Sequence, residues 1–368
     1  MHDKAQSPQG PSEGPLLEIK DLSVRFPVPG GEIHAVNGVD LSVSRGKTLG
    51  IVGESGCGKS VLALSALRLH PKTARIRGEI LLRRPGGVLD IASLPEKSRE
   101  LGKIRGGEIA MIFQEPMRAL FPLKTVGDQL GEALRLHVTR DKEEIRRRSV
   151  ELLGMVGIRD PQRRLEEYPH QFSGGMCQRV MIAIALAGSP QLLIADEPTT
   201  ALDVTIQAQV LALIRKTQQE LGMGILFISH DMGVIMEMSD EVAVMYLGRV
   251  VERAPAEEIF SNPLHPYTRL LFQSIPTIGG PRERRLATIE GSVPIPLNLG
   301  EGCGFCSRCP RREEGCAQQT PPLREVSAGH WVACLLQQGL EGAGEAPKPG
   351  PSAPEQGSQS ADREEEQS

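Results

Sequence analysis

Residues 48–69 read TLGIVGESGCGKSVLALSALRL, and the order of chemistries inside that stretch decides the fold. Residues 48–52 are an apolar run of strand length, and residues 61–69 continue as a helix until Pro71 stops it. Between them lies Gly53-Glu54-Ser55-Gly56-Cys57-Gly58-Lys59-Ser60, which fits G-x-x-x-x-G-K-[ST], the pattern of a phosphate-binding loop. Glycines let backbone N–H groups converge on phosphates, Lys59 neutralises the β and γ oxygens, and the Ser60 hydroxyl ligates Mg²⁺. A chance match to that pattern occurs in roughly one chain of this length in a hundred. A strand before the loop and a helix after it predict an α/β fold around a parallel sheet.

Two more apolar runs, residues 192–195 and 225–228, end in polar residues, as parallel strands do when their carboxyl ends line a site. The first delivers Asp196 toward Mg²⁺, and Glu197 follows it, placed to polarise an attacking water. Residues 16–26 and 36–43 have the alternation of an antiparallel edge sheet, with Asn37-Gly38 as a turn signal between short runs. A polar, helix-rich insert spans about 126–186, and its charged stretch 140–148 reads as a solvated helix face. Within the insert, Ser173-Gly174-Gly175 opens a helix with bare N–H groups and a positive dipole end, a second anion clamp. One nucleotide needs one cradle and something to complete the cage, so the two clamps are expected to meet across a dimer. Residues 241–252 read as a hairpin turning at Leu247-Gly248, and the absence of an internal repeat implies one nucleotide module.

Composition bounds the rest. The 368 residues are 39% hydrophobic, ample for a full-sized core, and the soft prior is two domains. No apolar run approaches the ~20 residues of a membrane span, and the first residues lack a secretory pattern. The net charge is −4, yet residues 341–368 hold seven acids against two bases, which leaves the body near neutral. That argues against nucleic acid as the main partner. The chain is therefore divided into a disordered tail at 1–15, a nucleotide-binding domain at 16–261, an irregular extension at 262–338 and a disordered acidic tail at 339–368.

Taken in order, these elements resemble the nucleotide-binding subunit of an ABC transporter: a P-loop cassette with a RecA-like parallel-sheet core, an antiparallel β subdomain and a helical subdomain. The resemblance makes Gln114 the Q-loop glutamine, touching Mg²⁺ and the attacking water. It makes Ser173-Gly174-Gly175-Met176 the signature that acts in trans, Ala201-Leu202-Asp203 the D-loop and His230 the switch histidine at the γ-phosphate. Phe26 resembles the aromatic residue that stacks on adenine. Finer features, MIFQEPM at 111–117, ADEPTTALDVTIQAQ at 195–209 and NPLHPYT at 262–268, are similar to the dipeptide/oligopeptide/nickel importer ATPases, with Met176 fitting their D-type subunit. Phe121 and Cys177 depart from that group's usual residues.

Cys303, Cys309, Cys316 and Cys334 match the four-cysteine pattern of that subfamily's extension, where the resemblance implies a [4Fe–4S] cluster. Four thiolates also suit structural Zn²⁺ as a second reading, and no metal is a third. Cys306 is additional and could substitute as a ligand or be a free thiol, while His330 reads as a surface histidine.

The expected function is an ATPase powering solute uptake, peripheral on the cytoplasmic face of the membrane, with ATP and Mg²⁺ as cofactors. Implied partners are two integral-membrane permeases, a paralogous ATPase or second copy, and an extracytoplasmic solute-binding protein. An accessory ATPase of phosphonate breakdown and a soluble nucleic-acid-linked ABC ATPase are the alternatives. Long coiled-coil insertions, zinc modules within the cassette or a second cassette would mark the latter, and none occurs.

Overall fold

The computed structural model describes residues 14–200, 202–274 and 289–338. The expected tails, apart from Gly14 and Pro15, and Ala201 of the expected D-loop lie outside these residues. Four strands, β1 (Leu17–Val28), β2 (Gly31–Val43), β4 (Arg75–Arg84) and β5 (Gly87–Asp90), form an antiparallel sheet in the order β2-β1-β4-β5. The second sheet has eight strands: β3 (Thr48–Val52), β6 (Ile109–Ile112), β7 (Leu192–Asp196), β8 (Gly224–Ile228), β9 (Glu241–Tyr246), β10 (Arg249–Pro255), β11 (Arg324–Ser327) and β12 (His330–Val332). Their order is β11-β12-β10-β9-β3-β8-β7-β6, and the five from β9 to β6 run parallel.

The parallel strands are apolar apart from Thr48, Asp196 and Glu241 at their ends, because both faces are covered. Successive residues go to opposite sides: Ile225 and Phe227 of β8 join one core, Leu226 and Ile228 the other. One core is shared with the helices α4 (Val126–His137), α5 (Lys142–Met155) and α7 (Gly174–Leu186). The other lies under the antiparallel sheet and α1 (Lys59–Ala66). Sequence sets these helices locally. Thr125 and Asp128 form a reciprocal capping box at the start of α4, and Asp141 caps α5. The charged stretch at 140–148 is a solvated face of α5, with Arg148 and Glu144 paired across one turn at 2.8 Å. Among the described residues, no helix is long and apolar enough to cross a membrane.

Two expectations are corrected. Asn37-Gly38 is not a turn but an irregularity inside β2, where Gly38 has φ +66° and donates its N–H to Ser23 Oγ at 3.1 Å. A bulge calls for the same left-handed glycine as a turn, so the dipeptide signals either. The chain reverses instead at Gly30, with φ +93°. His330 is not on the surface: it is fully buried, its Nε2 2.8 Å from Glu252 Oε1.

Glu252 explains that burial. Its carboxylate, also fully buried, accepts from the backbone N–H of Leu264 at 2.6 Å and of His265 at 2.9 Å, as well as bonding His330. A buried carboxylate must find donors, and these come from both ends of the 262–338 segment. The segment thereby joins the main sheet, since β12 pairs with β10 through Glu252 and Val332. Three helices, α10 (Ala256–Ser261), α11 (Pro266–Gln273) and α12 (Leu335–Gln338), frame it. His265 is also buried, which pulls its pKa down from 6.5 to about 4, so its neutral Nδ1 accepts the Tyr267 N–H at 3.0 Å.

Replacing Glu252 by Ala strands three donors at once, and the expected loss is at least about 3 kcal/mol in urea unfolding. Acid acts separately. Unfolded His265 takes a proton near 6.5 while the folded residue refuses it until about 4, so its contribution to stability falls as pH drops through that window. Denaturant midpoints measured across pH 4–7 should show this slope, and it should flatten in His265→Gln.

Candidate functional site

Four adjacent parallel strands, β3, β8, β7 and β6, end at one edge of the sheet, and each hands over a different group there. β3 runs into the phosphate loop. Gly53 has φ +149°, and a Cβ there would lie 2.3 Å from Met245 O; one on Gly58 would lie 2.2 Å from Ala35 O. No other residue fits the loop so close to neighbouring backbone. Lys59 opens α1 and curls back over the loop, its Nζ donating to Gly53 O at 2.7 Å and Glu54 O at 3.0 Å. Ser60 Oγ donates to Asp196 Oδ1 at 3.2 Å, bringing two of the three expected Mg²⁺ ligands together. Burial pushes the Asp196 carboxyl up, the Ser60 hydroxyl opposes that, and the neighbouring Glu197 adds to it. A divalent cation at Ser60 and Asp196 would reverse the balance by favouring the carboxylate.

Glu197 follows β7 in a left-handed conformation, φ +49°, that costs a non-glycine residue free energy. Its N–H donates to Ile228 O at 2.9 Å, which fixes the strained turn against β8. One oxygen, Oε2, gathers three side chains. Gln114 Nε2, just past β6, donates to it at 2.8 Å, Thr200 Oγ1 donates at 2.9 Å, and His230 Nδ1, just past β8, stands 3.3 Å away. Gln114, Glu197 and His230 therefore meet, although they are far apart in sequence. Thr200 was not anticipated. Its signal was its place three residues after Glu197, the span of a local side-chain turn.

The segment expected to form a second anion clamp lies on another part of the fold. Ser173 caps α7, its Oγ accepting from Met176 N at 3.3 Å, and Ser173 and Gly174 face solvent. α7 packs on α4, α5 and β6. Gln178 ties it to the strained turn by donating to Pro198 O at 2.6 Å. Asp203 caps α8 (Val204–Leu221), and a Cβ on Gly175 would lie 3.0 Å from Ile206 of that helix. Phe26 is half-buried on β1, edge-on to His70 with ring centroids 6.0 Å apart. Cys177 is fully buried, and its Sγ lies 3.4 Å from Pro169 O. Phe121 is 53% exposed, with Leu123 nearby at 79%.

The cysteine region forms a separate centre. Cys303, Cys306, Cys309, Cys316 and Cys334 border one small cavity with His265 and Phe305. Burial, reinforced by the neighbouring sulfurs, raises the Cys303 thiol to about 11, and Cys309 and Cys334 shift the same way. Among the described residues no three His, Cys, Asp or Glu side chains are placed to hold a metal ion, so the thiols converge without closing into a coordination shell. The donor set is all sulfur, which suits an iron–sulfur centre or zinc by chemistry.

Comparison with known proteins gives the family. A family model described as ABC transporter matches residues 36–200, and one described as Oligopeptide/dipeptide transporter, C-terminal region, matches residues 251–316. A Brucella melitensis relative named as a peptide import ATP-binding protein is 48% identical over 335 residues, covering 89% of this chain and 98% of that one. A Sinorhizobium fredii relative named as a peptide ABC transporter ATP-binding protein is 47% identical over 320 residues, covering 87% and 94%. Among solved structures, the dimeric post-hydrolysis state of the ATP-binding cassette MJ0796 bound to ADP and Pi is similar, with TM-score 0.58 and 28% identity, covering 65% of this chain and 98% of that one. Clostridium perfringens cbiO1, part of the ABC transporter complex cbiONQ, matches with TM-score 0.55 and 28% identity over 68% of this chain and 92% of its own. The chain belongs to the ABC transporter ATPases, as an ATP-binding subunit of the peptide import type carrying the oligopeptide/dipeptide transporter C-terminal region.

Proposed function

We propose that MgATP binds on residues 53–60 of one cassette and is capped by Ser173, Gly174, Gly175 and Met176 of a second. Closure of the pair then drives uptake of di- or oligopeptides, or a related solute such as a nickel chelate, through two membrane permeases. The observation that carries this reading is the convergence of Gln114, Thr200 and His230 on one oxygen of Glu197, beside the Ser60–Asp196 pair. In this reading Glu197 polarises the attacking water and Gln114 and His230 hold it against the γ-phosphate. Lys59 and the loop N–H groups take the phosphate charge, Ser60, Gln114 and Asp196 bind Mg²⁺, and Asp203 aligns the facing cassette. Phe26 would stack on adenine.

Partners follow from the same reading: a paralogous ATPase or a second copy, two permeases, and an extracytoplasmic solute-binding protein. The chain would work at the cytoplasmic face of the cell membrane. Exposed apolar side chains just beyond Gln114, namely Met117, Phe121 and Leu123, support a permease docking surface there, because water-facing apolar groups cluster where a partner covers them. The Cys303, Cys309, Cys316 and Cys334 thiolates would hold a [4Fe–4S] cluster or Zn²⁺, with Cys306 as substitute. Such a centre would supply a cross-link to an extension with little core of its own.

Glu197→Gln should keep MgATP affinity and lower turnover of the assembled transporter by at least about a hundredfold; near-normal hydrolysis would sink the assignment. For the cysteines, iron, acid-labile sulfide and zinc should be measured in chain purified without oxygen. Stoichiometric metal that is lost in Cys316→Ser is the expected result, and metal-free chain of unchanged stability is the contrary one.

A further inference from the structure

The extension reaches the nucleotide loop itself. Glu54, the loop's second residue, is held from behind by two residues of the 262–338 segment. Its backbone N–H donates to Tyr267 Oη at 2.9 Å. Its carboxylate takes both arms of one guanidinium, Arg308 Nη1 at 2.8 Å and Nη2 at 3.0 Å. The Arg308 side chain is only 6% exposed, and its other N–H groups donate to Glu290 O at 2.9 Å, Gly291 O at 3.1 Å and Tyr246 Oη at 3.4 Å, so its fork is fixed. Tyr267 is fully buried in a triangle of rings, 4.8 Å from Tyr246 and 5.3 Å from Phe305, with Tyr246 and Phe305 5.2 Å apart. In a chain with three tyrosines, two of them stand behind this loop.

We propose that Tyr267 and Arg308 are positioning residues for the phosphate loop. They take hold of Glu54 by both its N–H and its carboxylate, and so fix the direction of the N–H groups that follow. A cradle works only if its N–H groups are aimed before the phosphate arrives; otherwise ordering the loop subtracts from affinity. A bidentate charge-assisted pair supplies that aim better than a single contact, because it fixes orientation as well as distance. The extension is thereby part of the ATP site and not only a neighbour of it. The inference rests on residues 53–60 being that site.

The test is MgATP affinity of the full-length chain by equilibrium dialysis, with melting temperature recorded alongside. Variants are Tyr267→Phe, Arg308→Lys, Glu54→Gln, the Arg308→Lys/Glu54→Gln pair, and Lys59→Ala as reference. Tyr267→Phe and Arg308→Lys should each raise Kd by about three- to thirtyfold, since a lysine cannot reproduce the fork and a phenylalanine leaves the Glu54 N–H unpaired. The double variant should bind no worse than its weaker parent, because Arg308 acts through Glu54. Should Arg308→Lys fail to fold, Tyr267→Phe alone decides. Unchanged Kd in folded Tyr267→Phe and Arg308→Lys, with binding lost in Lys59→Ala, overturns the proposal while leaving the site intact. Additive losses in the pair also overturn it, by placing Arg308 on another route. Normal binding in Lys59→Ala would remove the site and the proposal together.

Discussion

A parallel sheet must be covered on both faces, and its connecting chains must leave from the carboxyl ends of its strands. From β3, β8, β7 and β6 that constraint delivers a phosphate loop, a histidine, an acid pair and a glutamine to one edge. The strands are short, four or five residues each, and wholly buried, so they act as rigid posts and leave little freedom for where each loop starts. Glu197 then spends backbone strain to turn its carboxylate toward the other loops, and its hydrogen bond to Ile228 holds that turn in place.

The segment after residue 262 completes this framework in two ways. β12 extends the main sheet beyond β10, and the buried Glu252 binds groups from Leu264, His265 and His330. A buried carboxylate with three donors is costly to disturb, because removing any part strands the rest. Next to it, the Tyr246, Tyr267 and Phe305 triangle carries the extension to the back of the phosphate loop. The cysteine cavity opens beside the same Phe305. Stability of the extension and order at the phosphate loop are thus physically continuous.

Local chemistry was legible and distant pairing was not. The phosphate-loop pattern, the acid pair at the end of β7 and the hairpin at Leu247-Gly248 each declare themselves within a few residues, because their conformation is set by adjacent backbone. Asn37-Gly38 misled because a bulge and a turn ask the same left-handed conformation of glycine. His330 misled because its partner, Glu252, lies 78 positions away and nothing near the histidine announces it. The grip of Tyr267 and Arg308 on Glu54 was invisible for the same reason, spanning 213 and 254 positions. Thr200 was within reach, since its bond to Glu197 is local.

The central claim is that the Ser173 clamp serves the phosphate loop of another cassette and not its own. The most direct measurement is MgATP affinity of Ser173→Arg, taken on the full chain at dilutions where it is monomeric. Binding equal to that of the wild type is the predicted result, because the monomer's own loop is untouched. A loss comparable to that of Lys59→Ala would place both clamps on the same nucleotide within one chain and contradict the account.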